Sequence, residues 1–341
     1  MKAIGCLHPF PATDLDSLQD VERTIPHPQL RDLLVRVSAV SVNPVDTKIR
    51  RSQSTGQNET VPRVLGWDAA GVVESVGPSV SLFRVGDEVY YSGSLSRPGA
   101  NSEYHLVDER LVAKKPASIN MAQAAALPLT AITAYEALFD RLGISPQGES
   151  GGAGILIIGG AGGVGSLAIQ LAKIAKLYVI ATASRHESQT WCRKMGADAV
   201  IDHTQSIPDQ LKQVHRPIVE YIFNTSQTDQ HWQAMCEAIK PQGRICGIVD
   251  TTKPVNLNAL KRKSATFVWE FMFTRSMYET DDMIEQHHLL TKISKWIDER
   301  KIQSTLTETL SPINAANLRS AHAKLESGKM IGKFVLTGWP T

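Results

Sequence analysis

The segment ILIIGGAGGVGSLAIQLAKIAK, from Ile155 to Lys176, constrains the fold more than any other stretch of the chain. An uninterrupted apolar run of strand length passes directly into glycines and then into a helical pattern. The glycines stand at Gly160, Gly162 and Gly165, with Gly163 and Val164 inside the cluster. On its own such a spacing carries little weight. Between a strand and a helix it is the pattern that seats a pyrophosphate on a helix N-terminus. Gly160 is expected to permit the tight turn, Gly162 to let the backbone approach a phosphate, and Gly165 to let helix and strand pack closely. The alternative is a merely structural turn.

The flanking sequence extends this unit. LYVIATAS, MGADAVIDH, PIVEYIFNTS and PQGRICGIVD follow as further apolar strands, separated by helical or polar segments. Alternating strands and helices with continuously apolar strands predict a parallel sheet covered on both faces. The first 120 or so residues differ. LLVRVSAVSVN, AGVVESVG and GDEVYYSG are short β-type runs closed by turn residues, the rhythm of a small barrel. RRSQSTGQNETVP, from Arg50 to Pro62, is polar and predicts a surface loop. In MAQAAALPLTAITAYEALFDRLG, Pro128 divides two helical pieces. Phe267, Trp269, Phe271 and Phe273 alternate cleanly, predicting a strand with one buried face.

Several function classes are excluded by composition. Thirty-six basic and 34 acidic residues leave a net charge of +2, without the massed basic patch that nucleic acid requires. No apolar run is long enough to span a membrane, and the N-terminus lacks a signal-peptide pattern. Cys6, Cys192, Cys236 and Cys246 are widely separated, as expected of buried or half-buried free thiols in the cytoplasm.

The end of the second strand of the parallel sheet bears on cofactor choice. A carboxylate there would bond ribose hydroxyls and repel a 2′-phosphate. The chain instead reads Thr182, Ala183, Ser184, Arg185, with no carboxylate before Glu187. Ser184 can donate to a phosphate and Arg185 can pair with it, which predicts NADPH over NADH.

Taken together, SVNPVDTKIR, VLGWDAAGVVESVG, RVGDEVY, AALPLTAITAYEAL, GGAGGVGSLAIQLAK, WEFMFTRSM and IGKFVLTG resemble the medium-chain dehydrogenase/reductase superfamily over essentially the whole chain. They are most similar to its zinc-free quinone oxidoreductase branch and to a bacterial zinc-type alcohol dehydrogenase-like subgroup. The resemblance implies an α/β protein. A GroES-like, partly open β-barrel domain is expected over 1–125 and 271–341, and a Rossmann doubly wound domain over 126–270, with the cofactor in the cleft between them. It also implies that Thr130 and Thr133 lie near the nicotinamide, that Asn224 and Ile248 lie along the cofactor, and that Lys333 closes over the site. His203 stands where relatives often carry a Tyr beside the 2′-phosphate. Pairing of sheet edges into a homodimer is a further implication.

Zinc enzymes of this superfamily take a Cys from the segment that here reads Asn43-Pro44-Val45-Asp46, and a His from the place of Trp67. Zinc needs three Cys, His or carboxylate ligands. Neither Trp nor Pro offers a lone pair, so no metal is expected. The segment after the barrel strands, Tyr90 to Arg110, contains no cysteine for a structural zinc. His105 with Asp108 reads as a satisfied surface pair, and His287 with His288 as solvated surface. Without a metal to polarise an alcohol or ketone, hydride transfer to an electron-poor acceptor remains feasible. Quinones and α,β-unsaturated carbonyls are such small-molecule acceptors. The resemblance places this segment in the cleft, which makes Asn43, Asp46 and Lys48 candidates for polar help: Asn43 is expected to donate to the acceptor carbonyl, and Asp46 to orient a neighbour rather than act as an acid. Trp67 is expected to form an apolar wall for a flat substrate. The alternatives are a turn fixed by Pro44 and a core aromatic. A zinc-dependent alcohol dehydrogenase, and an NADPH-binding redox sensor with little turnover, remain open as functions.

Overall fold

The computed structural model describes residues 1–52 and 61–340. It divides into two compact units, one formed by Met1–Leu129 with Phe273–Thr341, the other by Thr130–Met272. The boundary falls a few residues later than the sequence predicts. Within the first unit the helix Met121–Ala125 packs on the strands Asp32–Ser41 and Asp68–Val76. Asn120 fixes its start by a capping box, accepting from Gln123 N at 2.9 Å while Gln123 Oε1 accepts from Asn120 N at 3.2 Å.

The first unit holds a seven-stranded sheet with Asp32–Ser41 as its hub. That strand pairs antiparallel with Asp68–Val76, Tyr104–Asp108 and Lys333–Thr337. The register sets Val335 opposite Ser41 and Ser41 opposite Asp68. Continued two residues beyond the ladder, the same register brings Lys333 level with Asn43. Leu33, Val35, Val37, Ala39 and Val40 are all buried, so the hub is covered on both faces. A smaller sheet joins Gln19–Glu22, Lys2–Cys6 and Arg63–Val64.

The second unit is a six-stranded sheet whose pairings are all parallel. Its spatial order is Ala199–Ile201, Tyr178–Thr182, Gly154–Ile158, Val219–Asn224, Ile239–Gly247, Thr266–Trp269. Counted along the unit this is 3-2-1-4-5-6, the doubly wound order whose reversal point lies beside its first strand. Leu156, Ile158, Ile180, Ile222 and Ile245 form the sheet's core, with Trp232 and Met235 packed against them.

Four expectations are corrected. The aromatic alternation yields only a four-residue strand, Thr266–Trp269, after which the chain turns into the helix Thr274–Tyr278. Within the predicted loop, Arg50 ends up on the helix Pro44–Ser52 and is fully buried; residues 53–60 lie outside the described residues. His105 is not at the surface, because its ring stacks on Tyr91 and its nitrogens meet Tyr91 Oη and Pro98 O, both at 3.0 Å. Asp108 pairs with Arg110 instead. His287 docks on Val112 O at 2.7 Å, whereas His288 is exposed as expected. All four cysteines are buried free thiols.

Candidate functional site

The glycine cluster opens the helix Gly163–Ile174 from Gly162, which caps it without a side-chain hydrogen bond. Helix geometry leaves the first amide N–H groups of such a helix without intrahelical acceptors. A Cβ placed on Gly162 would meet only Gly159 O, at 3.7 Å, so the space above this backbone is open. Gly165 behaves as predicted: a Cβ there would stand 2.3 Å from Gly159 O. The role given to Gly160 moves by one residue. The left-handed turn is made by Gly159, with φ of +84°. Gly160 is needed because a Cβ would lie 2.8 Å from Ala181 Cβ and 3.1 Å from Cys192 Sγ. Thr182 fixes the loop from the neighbouring strand, its Oγ1 accepting from Gly159 N and its carbonyl from Gly160 N.

Ser184 and Arg185 follow one strand and His203 follows the neighbouring one, at the same end of this sheet. Thr182 pairs with Ile201, and each strand then leaves the sheet, one through Ser184 and Arg185, the other through His203. Ser184 and Arg185 are half-buried, and Arg185 caps the helix His186–Lys194. His203 Nδ1 is buried with no hydrogen-bond partner among the described residues, and its ring stands perpendicular to that of His231 at 6.1 Å. His231, buried, is a neighbour that the sequence did not single out. The nearby Asp202 carboxylate is turned back on its own loop by Thr204 N and Oγ1, each at 2.8 Å. Asn224 ends its strand and commits its amide to Ser226 O and Thr228 Oγ1. Ile248 N donates to Asn224 O at 3.2 Å, which sets these two residues side by side. Thr130 and Thr133 lie buried on the helix Pro128–Tyr135.

The first unit carries a second constellation, in which Asn43, Asp46, Asp68 and Lys333 are all buried. Lys333 Nζ donates to Val42 O at 2.8 Å, to Asn43 Oδ1 at 2.5 Å and to Asp68 Oδ2 at 3.3 Å. Asp68 also accepts from Asn43 Nδ2 at 2.8 Å and from Leu129 N at 2.7 Å. Leu129 is followed in the chain by Thr130. Asp46 Oδ2 accepts from Asn43 N at 2.8 Å. Burial pushes Asp68 upward, opposed by Lys333 and by the Asn43 and Leu129 donors. Burial lowers Lys333, opposed by Asp68 and Asp46. An ammonium has three donors and no acceptor, and here all three donors are used. That geometry is an ionised pair.

This arrangement corrects three assignments. Asn43 spends its amide on Asp68 and, at 3.4 Å, on Ser41 O, so it has no donor left for a substrate carbonyl. Lys333 sits inside the first unit as the counter-charge of Asp68. Trp67 is 0% exposed and offers no face to a substrate. Its Nε1–H donates to Ser94 O at 2.9 Å and its ring meets Phe273 edge-on, as a core aromatic does. Asp68 is the residue that sequence reasoning passed over. Its signal was a carboxylate inside the apolar strand GWDAAGVV, which has to find a partner when buried.

One chain thus joins a dinucleotide-type parallel sheet to a β-rich unit with a buried polar centre. Two family models match the chain, "Alcohol dehydrogenase GroES-like domain" over residues 29–117 and "Zinc-binding dehydrogenase" over 163–286. A zinc-type alcohol dehydrogenase-like protein of Staphylococcus aureus is 48% identical over 98% of this chain and 99% of its own length. A chloroplastic NADPH-dependent alkenal/one oxidoreductase of Arabidopsis thaliana is 31% identical, covering 93% of this chain and 75% of its own. A crystal structure of a provisionally assigned zinc-dependent alcohol dehydrogenase from Rhizobium etli superposes with a TM-score of 0.95. It is 50% identical and covers 100% of this chain and 99% of its own. The chain belongs to the medium-chain dehydrogenase/reductase superfamily, with a GroES-like unit and a Rossmann-type parallel sheet, and stands among oxidoreductases.

Zinc, implied by these descriptions, does not fit the residues present. Trp67 is a hydrogen-bond donor only. The cation beside Asp68 is the Lys333 ammonium. Among the described residues no three His, Cys, Asp or Glu side chains converge as a metal site. A nicotinamide dinucleotide does fit the second unit, where Gly162 leaves open backbone over an uncapped helix start.

Proposed function

We propose that the protein is an NADPH-dependent reductase of quinones or α,β-unsaturated carbonyl compounds that works without catalytic zinc. The observation that carries this is the buried Asn43–Asp68–Lys333 network, which holds a lysine ammonium beside Trp67, a residue that cannot ligate zinc. Such a centre supplies no Lewis acid for a simple alcohol or ketone. A conjugated acceptor needs less help, because conjugation spreads the incoming charge. The alkenal/one oxidoreductase relative acts on acceptors of this kind by its name.

NADPH would supply the hydride. Gly162, Gly163, Val164 and Gly165 would hold its pyrophosphate, with Asn224 and Ile248 at the neighbouring strand ends. Ser184, Arg185 and His203 would hold the 2′-phosphate: the adjacent strands Tyr178–Thr182 and Ala199–Ile201 end level and lead into a hydroxyl, a guanidinium and an imidazole, while the Asp202 carboxylate is engaged within its own loop. Thr130 and Thr133 would flank the nicotinamide.

The Thr266–Trp269 strand is the sheet's terminal strand, with Trp269 47% and Phe271 49% exposed. A second copy of the chain is the occupant we assign to it, giving a homodimer. No helix of the described residues is long and apolar enough to cross a membrane. The four buried thiols suit a reducing cytoplasm. The test is cofactor oxidation with matched acceptors. Turnover of an enone and a quinone, with negligible turnover of the saturated ketone, is expected; equal turnover of the saturated ketone would overturn the proposal.

A further inference from the structure

Reduction of a conjugated carbonyl needs a proton as well as a hydride, and the first unit contains a group built to hold one. Asp46 lies on the first turn of the helix Pro44–Ser52 and is 1% exposed. Its Oδ2 accepts from Asn43 N. Its Oδ1 is buried with no hydrogen-bond partner among the described residues. A buried carboxylate left with an unsatisfied oxygen is costly, whereas a carboxylic acid has an O–H to place there.

Comparison with Asp68 shows which of the two carboxyls is the acid. Asp68 receives three donors, from Leu129 N, Asn43 Nδ2 and Lys333 Nζ, and Asp46 receives one. Lys333 spends all three of its donors without reaching Asp46. Two carboxylates and one ammonium would leave a net negative charge in a buried centre. One proton removes it, and the donor count puts that proton on Asp46. The charges facing Asp46 are Lys333 on the last strand and Asp68 on the Asp68–Val76 strand. On its own helix Lys48 and Arg51 are exposed, and Arg50 is engaged by Phe10 O and Glu326. Burial, reinforced by Asp68 and opposed by the Asn43 N–H and Lys333, raises the carboxyl to about 7.

We propose that Asp46 is the proton source of the reaction, delivering its proton from Oδ1 through one water to the reduced acceptor. The proposal rests on the reductase function and revises the orienting role given to Asp46 from sequence. Hydride addition at the β-carbon, supplied by oxidation of NADPH, moves an electron pair onto the acceptor's conjugated system. The Asp46 O–H bond breaks and the proton completes the product as a new C–H or O–H bond. Asp46, left as carboxylate, regains a proton from solvent. An acid with a value near neutrality suits both donation and recovery.

The experiment has two arms. In the first, the wild-type protein is labelled at its aspartate carboxyl carbons and titrated by NMR without cofactor. One carboxyl is expected to titrate near neutrality, far above the exposed aspartates, and to vanish from the spectrum of Asp46→Asn. In the second arm Asp46→Asn keeps an oxygen for Asn43 N but carries no transferable proton. Its kcat with an enone is expected to fall on the order of a hundredfold, with loss of the alkaline limb of the pH profile and unchanged NADPH affinity. All aspartates titrating in the ordinary range, or wild-type kcat and pH profile in the variant, would overturn the proposal. A wild-type enzyme that reduces no enone or quinone would refute the reductase function alone, and the NMR arm would still decide where the proton resides.

Discussion

Lys333 Nζ lies 3.3 Å from Asp68 Oδ2, with the two side chains 3% and 0% exposed. The two are 265 residues apart in the chain and join the last strand of the protein to a strand of its β-rich first unit. Removing one member leaves the other as an uncompensated buried charge. Lys333→Met is expected to destabilise the first unit by about 3–5 kcal/mol in urea denaturation. Adding Asp68→Asn to that variant should recover a large part of the loss. Additive losses in the double variant would show that the two groups do not act as a pair.

The glycine cluster separates binding from folding. Gly162 has φ of −70° and open space above it, so Gly162→Ala should fold normally and lose NADPH affinity by tenfold or more, on the order of a lost phosphate contact. Gly165→Ala drives a Cβ toward Gly159 O and should lower the melting temperature sharply. Cofactor fluorescence titration and thermal melts on both variants check the contrast.

Arg185 stands at the start of its helix beside Ser184. Its removal should weaken NADPH by roughly ten- to a hundredfold, the scale of a charge-assisted hydrogen bond, and leave NADH nearly unchanged. Parallel titrations with the two cofactors measure this. An unaltered preference would place the 2′-phosphate elsewhere.

Acid stability should depend on His322. It is fully buried with neither ring nitrogen hydrogen-bonded among the described residues, and burial aided by Arg50 lowers it to about 3. His105, buried, falls to about 4. The unfolded imidazoles take up protons from about pH 6.5 downward while the folded ones resist, so stability is lost as pH falls below that value. Asp46 acts in the opposite sense, because its folded value is raised and protonation favours the native state. Replacing His322 with Leu should therefore gain about 2 kcal/mol relative to wild type between about pH 8 and about pH 5. A pH-independent difference would mean that His322 is not held neutral.

The glycine loop and the parallel sheet were legible because their determinants are local. An apolar strand, a glycine turn and a helix start occupy consecutive residues, and only the site of the turn, Gly159 rather than Gly160, needed coordinates. The polar centre was not legible in the same way. Asn43 and Lys333 meet through strand register across most of the chain, and the local trace of Lys333 is a lysine inside the apolar run GKFVLTG, which the resemblance placed over the site but not beside Asp68. Trp67 was misjudged for a related reason. Its burial depends on Ser94 and Phe273, which no pattern around residue 67 announces. The aromatic run shows the limit of periodicity, since its alternation continues past Trp269 while the strand does not.

The central claim is hydride transfer to a conjugated acceptor without a metal. The most direct measurement follows NADPH and NADH oxidation with quinones, enones, aldehydes and ketones, using one metal-analysed sample with and without a chelator. Chelator-insensitive, NADPH-preferring turnover of quinones or enones by a protein lacking stoichiometric zinc is the predicted result. Zinc-containing protein whose turnover of simple aldehydes or ketones is abolished by the chelator would contradict it.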